Sequence, residues 1–181
     1  MQKMHGRNQL EKIVVNAGIG RLATNSANFE EKTLPNVIEE FKAIIGQYPA
    51  ARRARISIAG FKIRKGMIIG LSAVMRGKRM EQFLARLNAI VLPRVRDFRG
   101  IHLKNIDAHG NLNIGIREHT AFPEIIPENS KVDFGLQVTV VPKIKGREKA
   151  LELYRALGVP LQKLKTEGES VQLMNRETIH K

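Results

Sequence analysis

Residues Arg52–Arg76 read RRARISIAGFKIRKGMIIGLSAVMR, and this stretch decides the fold. Successive side chains on a strand point to opposite faces. Arg52–Ile58 therefore sets Arg53, Arg55 and Ser57 against Ala54, Ile56 and Ile58. Met67–Arg76 repeats the alternation, with Met67, Ile69, Leu71, Ala73 and Met75 opposite Ile68, Gly70, Ser72, Val74 and Arg76. Between the two runs lies Gly60-Phe61-Lys62-Ile63-Arg64-Lys65-Gly66, a basic loop bounded by glycines. A connection this short suits antiparallel neighbours, because parallel strands need a crossover of a dozen residues or more. The stretch predicts a hairpin with a projecting basic tip.

Outward from the hairpin, Leu10–Asn16 (LEKIVVN) reads as a strand with Lys12, Val14 and Asn16 on one face and Ile13 and Val15 on the other. Leu34, Val37, Ile38, Phe41, Ile44 and Ile45 follow the helical repeat, with Pro35 suited to the first turn and Gly46 to the cap. A second helical stripe, Met80, Phe83, Leu84, Leu87, Ile90 and Val91, ends or kinks at Pro93. Asp107–Gly110 reads as a turn, Asn111–Ile116 and Gly135–Val141 as strands, and Gly146–Leu157 as a last helix. The order strand, helix, strand, strand, helix, strand, strand, helix predicts an α+β fold: a single mostly antiparallel sheet with helices packed on one face. The open face should carry Asn16, Arg53, Arg55, Ser57, Gly70, Ser72, Arg76 and Thr139. Residues 1–163 read as one domain. Residues 164–181 are polar and aperiodic and read as a tail, a candidate for disorder.

Charge has an address along this chain. The 181 residues carry 31 Lys plus Arg against 17 Asp plus Glu, a formal net charge of +14, which suits a polyanion partner. Residues 52–79 contain nine basic side chains and no acidic one: Arg52, Arg53, Arg55, Lys62, Arg64, Lys65, Arg76, Lys78 and Arg79. A solvated edge usually mixes signs, so a face for nucleic acid is the better reading. Phosphate contacts there would be salt-sensitive, and Phe61 could stack a base or anchor the loop. With no Trp and few aromatic residues, folded RNA is a better target than a single-strand stacking surface.

Several classes drop out. The absence of cysteine excludes disulfides, thiol nucleophiles and cysteine metal sites. No apolar stretch suggests a signal core or a membrane span, so a soluble, cytoplasmic protein is expected. Gly18-Ile-Gly20-Arg-Leu-Ala23 matches the G-x-G-x-x-A dinucleotide pattern after a strand, the one feature favouring an NAD-type enzyme. Yet Arg52–Gly60 offers no carboxylate for the ribose, and the hairpin breaks β-α-β alternation. His5, His102, His109, His119 and His180 follow no metal-ligand spacing and are expected as surface histidines. His119 beside Glu118 imitates an acid-base pair, but neighbours on a strand face opposite ways. No catalytic residue, metal or cofactor is expected.

The motifs themselves resemble a known family. Lys12–Gly18 (KIVVNAG), Gly46–Pro49 (GQYP), Arg55–Gly66 (RISIAGFKIRKG), Met75–Met80 (MRGKRM), Pro93–Gly100 (PRVRDFRG), Gly115–Glu118 (GIRE) and Phe122–Ile125 (FPEI) closely resemble the universal large-subunit ribosomal protein L-five family. The motifs run in family order from about Leu10 to Lys163. The resemblance implies a non-catalytic ribosomal protein of the central protuberance that binds 5S rRNA through the open sheet face. It further implies 23S-type rRNA and neighbouring large-subunit proteins as partners, a basic loop reaching the elbow of the peptidyl-site tRNA, and a bridge to a small-subunit head protein. By motif, Asn16, Gln47 and Phe61 match positions associated with 5S rRNA, and Lys62, Ile63, Arg64, Lys65 and Gly66 match the tRNA-facing loop. Arg53, Arg55 and Arg76 are added to the 5S set from strand-face arithmetic. The sequence departs from the family at Val74, where a threonine is usual, and in having nine residues before Leu10 where the family usually has a longer, helical start. The last 18 residues do not align with it.

Overall fold

The structure is a computed structural model that describes residues 9–25, 28–128, 130 and 132–162; the expected tail, 164–181, lies outside the described residues. β1 (Leu10–Gly18) buries Leu10, Ile13, Val15 and Ala17 and turns Lys12, Val14 and Asn16 the other way. It lies at the centre of a five-stranded sheet with β2 (Ala50–Arg53), β3 (Ile68–Met75), β4 (Leu112–Ile116) and β5 (Leu136–Pro142), in the order β2-β3-β1-β5-β4. Every neighbouring pair is antiparallel. The expected α+β sheet architecture is therefore found. The dinucleotide reading fails here, because β1 has antiparallel partners on both sides where that site requires parallel ones.

The helices cover one face. After β1 come a short α1 (Gly20–Asn25), a π-helical turn at Phe29–Thr33 and α2 (Leu34–Ile45). Pro35 sits in the first turn of α2, directly after the π-helical turn. Gly46 closes the helix at φ +77°, its N–H donating to the Lys42 carbonyl at 2.7 Å. α3 (Gly77–Arg86) passes through a π-helical segment, Leu87–Val91, into α4 (Leu92–Arg94), where Pro93 ends the run as the sequence predicts. Val37, Phe41 and Ile44 of α2 and Met80, Phe83 and Leu84 of α3 share one core with Ile13, Val15, Leu71, Met75, Val138 and Val140 of the sheet. Each such side chain removed from water contributes about 1.5–3 kcal/mol.

The 119–134 segment is fastened to this helix layer by polar contacts that the sequence conceals. His119, expected at the surface, is fully buried. It stacks on Phe134 at 4.1 Å, and its Nε2 lies 2.8 Å from Glu40 Oε2 and 3.1 Å from Ser130 Oγ. Its partner is thus a distant carboxylate on α2, not the adjacent Glu118. Arg86 makes the second clamp, with an ion pair to Glu124 at 2.7 Å and a hydrogen bond to the Ile44 carbonyl at 2.7 Å.

The first strand of the predicted hairpin is shorter than its alternation suggests. β2 ends at Arg53, after a register shift between Arg52 and Arg53. Beyond it the chain folds on itself: Ala54 and Met67 are joined by an N–H···O bond of 2.8 Å, and an isolated antiparallel bridge joins Ile58 to Ile63 around the turn Ala59–Phe61. Ile56 is 67% exposed and Ile58 is exposed as well, so only Ala54 of the predicted inner face is buried.

α5 (Arg147–Ala156) packs on the β4 end of the core. Its Tyr154 is wholly buried and donates one hydroxyl shared by the Gly110 and Val140 carbonyls, at 2.8 and 3.1 Å. Burial raises the phenol's pKa well above its ordinary value, and the nearby Asp107 charge adds to the shift. A raised acid pKa means the neutral form is favoured in the fold, so this stabilisation is complete below the unfolded phenol value and is lost at higher pH. Gly110, at φ +93°, sits so close to the helix that a Cβ would lie 2.8 Å from Ala150 Cβ. Tyr154→Phe, which leaves two buried carbonyls without this donor, is expected to lower unfolding free energy by about 1–3 kcal/mol in urea titrations. Gly110→Ala, combining left-handed strain with a clash, should cost more than Tyr154→Phe in the same assay.

Candidate nucleic-acid interface

The open face is ordered by the strand register into rows. One row runs across all five strands as Ala50, Ser72, Asn16, Gln137 and Gly115. With strands about 4.8 Å apart it spans about 19 Å, and it contains nothing bulkier than an amide. The next row holds Val74, Val14, Thr139 and Asn113, in which the Thr139 hydroxyl donates to Asn113 Oδ1 at 2.8 Å. On the other side lie Arg52, Gly70 and Gly18. At Gly18 a Cβ would have met nothing within 4 Å, so this end of the surface is backbone that a ligand can approach closely.

Of the residues expected on this face, Asn16, Gly70, Ser72 and Thr139 lie there. Arg76 follows β3 in extended conformation (φ −139°, ψ 163°), which continues the alternation from Val74. Three expectations need correction. Regular pairing from Ala50–Ser72 puts Arg52 opposite Gly70 on the open face, and the shift that follows brings Arg53 opposite Ile68, a core residue. The Arg53 guanidinium instead donates to the Gly66 carbonyl at 2.9 Å and ties the base of the loop. Arg55 and Ser57 lie beyond the strand, and Ser57 Oγ accepts the Lys65 N–H at 2.9 Å. Alternation cannot reveal a bulge, because the extra residue sits on the partner strand.

Gln47 is held by the fold. β2 pairs with β3 only as far as Ser72, so the Val74 carbonyl on the outer edge lacks a strand partner. Gln47 Nε2 donates to it at 3.1 Å, and Arg79 from the first turn of α3 donates to Gln47 Oε1 at 3.2 Å. The contact is to backbone, so it is indifferent to whether position 74 is valine or threonine. Asn16, by contrast, makes no side-chain hydrogen bond among the described residues, and its amide is available to a ligand.

All nine basic residues between 52 and 79 are exposed, and none lies within 4.0 Å of a carboxylate oxygen among the described residues. The loop residues Lys62 and Arg64 line a groove with Thr24 and Glu30, and Phe61 is 70% exposed at the turn. At the opposite edge Lys104, Asn105, Asp107, Asn113, Gly115 and Gln137 line a shallow polar cleft. Asp107 there stays below the ordinary carboxylate pKa: burial opposes this, but hydrogen bonds from Asn111 and His109 and the His109 charge outweigh it. Arg52, Asn113 and Gln137 are the residues of this surface missing from the predicted set. The period-2 pattern carried a signal for Gln137, but none of the three could be placed without the cross-strand register. No group of three or more metal-ligating side chains occurs among the described residues.

Known proteins resemble this chain along most of its length. Residues 5–64 match the family model described as Ribosomal protein L5, and residues 68–161 match the model of that family's C-terminus. The large ribosomal subunit protein uL5 of Halothermothrix orenii is 45% identical over 154 residues, covering 84% of this chain and 82% of the relative.

Because Gln47 bonds to the fold and Asn16 does not, their substitutions should separate in thermal or urea denaturation. Gln47→Ala is expected to cost about 0.5–1.5 kcal/mol, whereas Asn16→Ala should stay within about 0.5 kcal/mol of the parent.

Proposed function

The chain belongs to the ribosomal protein L5 family, and from that premise we propose that its open sheet face binds 5S rRNA. As a family member it is a non-enzymatic, structural component of the large subunit of the cytoplasmic ribosome, an RNA-associated protein of translation. What carries the finer reading is one juxtaposition: a neutral row of small residues and amides bordered by the exposed Arg52, Arg76, Lys78 and Arg79, none of them paired with a carboxylate among the described residues. Such a surface lets the RNA backbone lie flat while amides meet ribose hydroxyls and base edges, and the rim neutralises phosphates.

In this reading Asn16, Gln137 and Thr139 form the hydrogen-bonding floor, with Arg52 and Arg76 at its border. Gln47 acts at one remove, by fixing the edge of β3. Arg53 positions the loop, Arg55 contributes charge beyond the strand, and Phe61 is free to pack on a base. Lys62, Ile63, Arg64, Lys65 and Gly66 form the segment assigned to the peptidyl-site tRNA elbow, and Lys62 takes the left-handed conformation that turns it (φ 55°). 23S-type rRNA, neighbouring large-subunit proteins and a small-subunit head protein complete the proposed partners, with residues 1–163 as the binding domain.

Titration of the purified chain with 5S rRNA across a salt series tests the reading. Binding should weaken by about one power of salt concentration for each phosphate neutralised; absent or salt-insensitive binding would overturn it. Replacing Lys62, Arg64 and Lys65 together by alanine should spare 5S rRNA affinity and weaken tRNA engagement in assembled ribosomes. A loss of 5S affinity as large as that of Asn16→Ala would contradict this division between floor and loop.

A further inference from the structure

The floor row ends at Gly115, and beyond that glycine lies a second basic feature outside the 52–79 segment. Arg94, Arg96 and Arg117 line a cleft of about 640 Å³ with Gly115, Asp97 and Glu118. It lies between the turn that follows α4 and the end of β4. All three arginines are exposed, and none is within 4.0 Å of a carboxylate oxygen among the described residues. The two acids share the cleft without pairing to the arginines. The turn is tight, with Phe98 N–H donating to the Val95 carbonyl at 3.3 Å and Asp97 left-handed at φ 53°. Aspartate is among the few residues that adopt this region readily.

We propose that this cleft is a second RNA-backbone site, which holds the sugar-phosphate chain of the same strand that crosses the Asn16–Gln137 row. The inference rests on the open face being the RNA surface, and it extends that surface past β4. Continuity carries it: Gly115 pairs with Gln137 on the floor and also lines the cleft. A Cβ at Gly115 would meet nothing within 4 Å, so the passage between floor and cleft is open. The chemistry of the lining also fits a nucleotide better than a free phosphate. Arginine guanidinia suit the phosphate oxygens, while Asp97 and Glu118 offer acceptors to the ribose 2′-hydroxyl and to base amino groups. A bare phosphate would meet two unneutralised carboxylates and offer them little in return.

The test uses the full chain and a 5S rRNA transcript, with affinity measured at several salt concentrations. Arg94→Ala, Arg96→Ala and Arg117→Ala combined should flatten the dependence of log affinity on log salt by about 2–3, at about 0.7–0.9 for each phosphate no longer neutralised. A Cβ at Gly115 meets nothing within 4 Å, so Gly115→Leu, with folding checked by circular dichroism, is expected to weaken binding about tenfold by blocking the passage. An unchanged salt slope in the triple variant, with the parent still bound, overturns the cleft and leaves the floor standing. Failure of the parent itself to bind overturns both. Should the triple variant fail to fold by circular dichroism, Arg117→Ala decides, with the salt dependence expected to flatten by about 0.7–0.9, and an unchanged slope overturns the proposal.

Discussion

Every position on the open face is set through β1. Ile13, Val15 and Ala17 are locked into the core, and the strand is paired residue for residue on both sides, Ile13 with Met75 and with Val140. A slip of one residue would drive Lys12 and Asn16 into the core and bring Ile13 and Val15 out. Burial of those three apolar side chains therefore fixes where Asn16 stands. Asn16 in turn is the common member of the row from Ala50 to Gly115. The hydrophobic core specifies the polar surface by this route, since the two are the odd and even positions of one strand.

The surface so specified is divided by charge. The floor is neutral and shallow, and the charges stand around it, on the loop after β2, at the start of α3 and in the cleft past β4. This arrangement suits a large, irregular polyanion better than a compact one. Neutral amides discriminate by geometry and are little affected by salt, while peripheral cations supply affinity that is strongly affected. The absence of carboxylates between residues 52 and 79 matters for the same reason, because an acid there would compete with the incoming phosphates.

The sequence was most legible where structure is local. The helix from Leu34 to Ile45, with Pro35 and Gly46 at its ends, the stop at Pro93, and the alternation in β1 and β5 all follow from patterns within a dozen residues. What could not be read is what depends on contacts distant in the chain. The bulge that separates Arg52 from Arg53 belongs to β3, not to the run of arginines. The burial of His119 needs Glu40, and the role of Gln47 needs an edge carbonyl left over by a short strand. The Arg94, Arg96 and Arg117 cleft joins two segments that the sequence keeps apart. The motif resemblance supplied the family where periodicity could supply only a fold class.

The bond from Gln47 to the Val74 carbonyl also bears on the life of the protein before it meets RNA. A sheet edge with free carbonyls and amides invites another copy to add a strand. Here β2 is four residues long, wholly exposed and arginine-bearing, and the stretch of β3 that outruns it has its edge carbonyl occupied by an amide that Arg79 holds in place. A second chain approaching that edge would have to displace a side chain and face a like-charged rim. The occupied carbonyl and the like-charged rim thus make this edge a poor template for strand addition by a second copy.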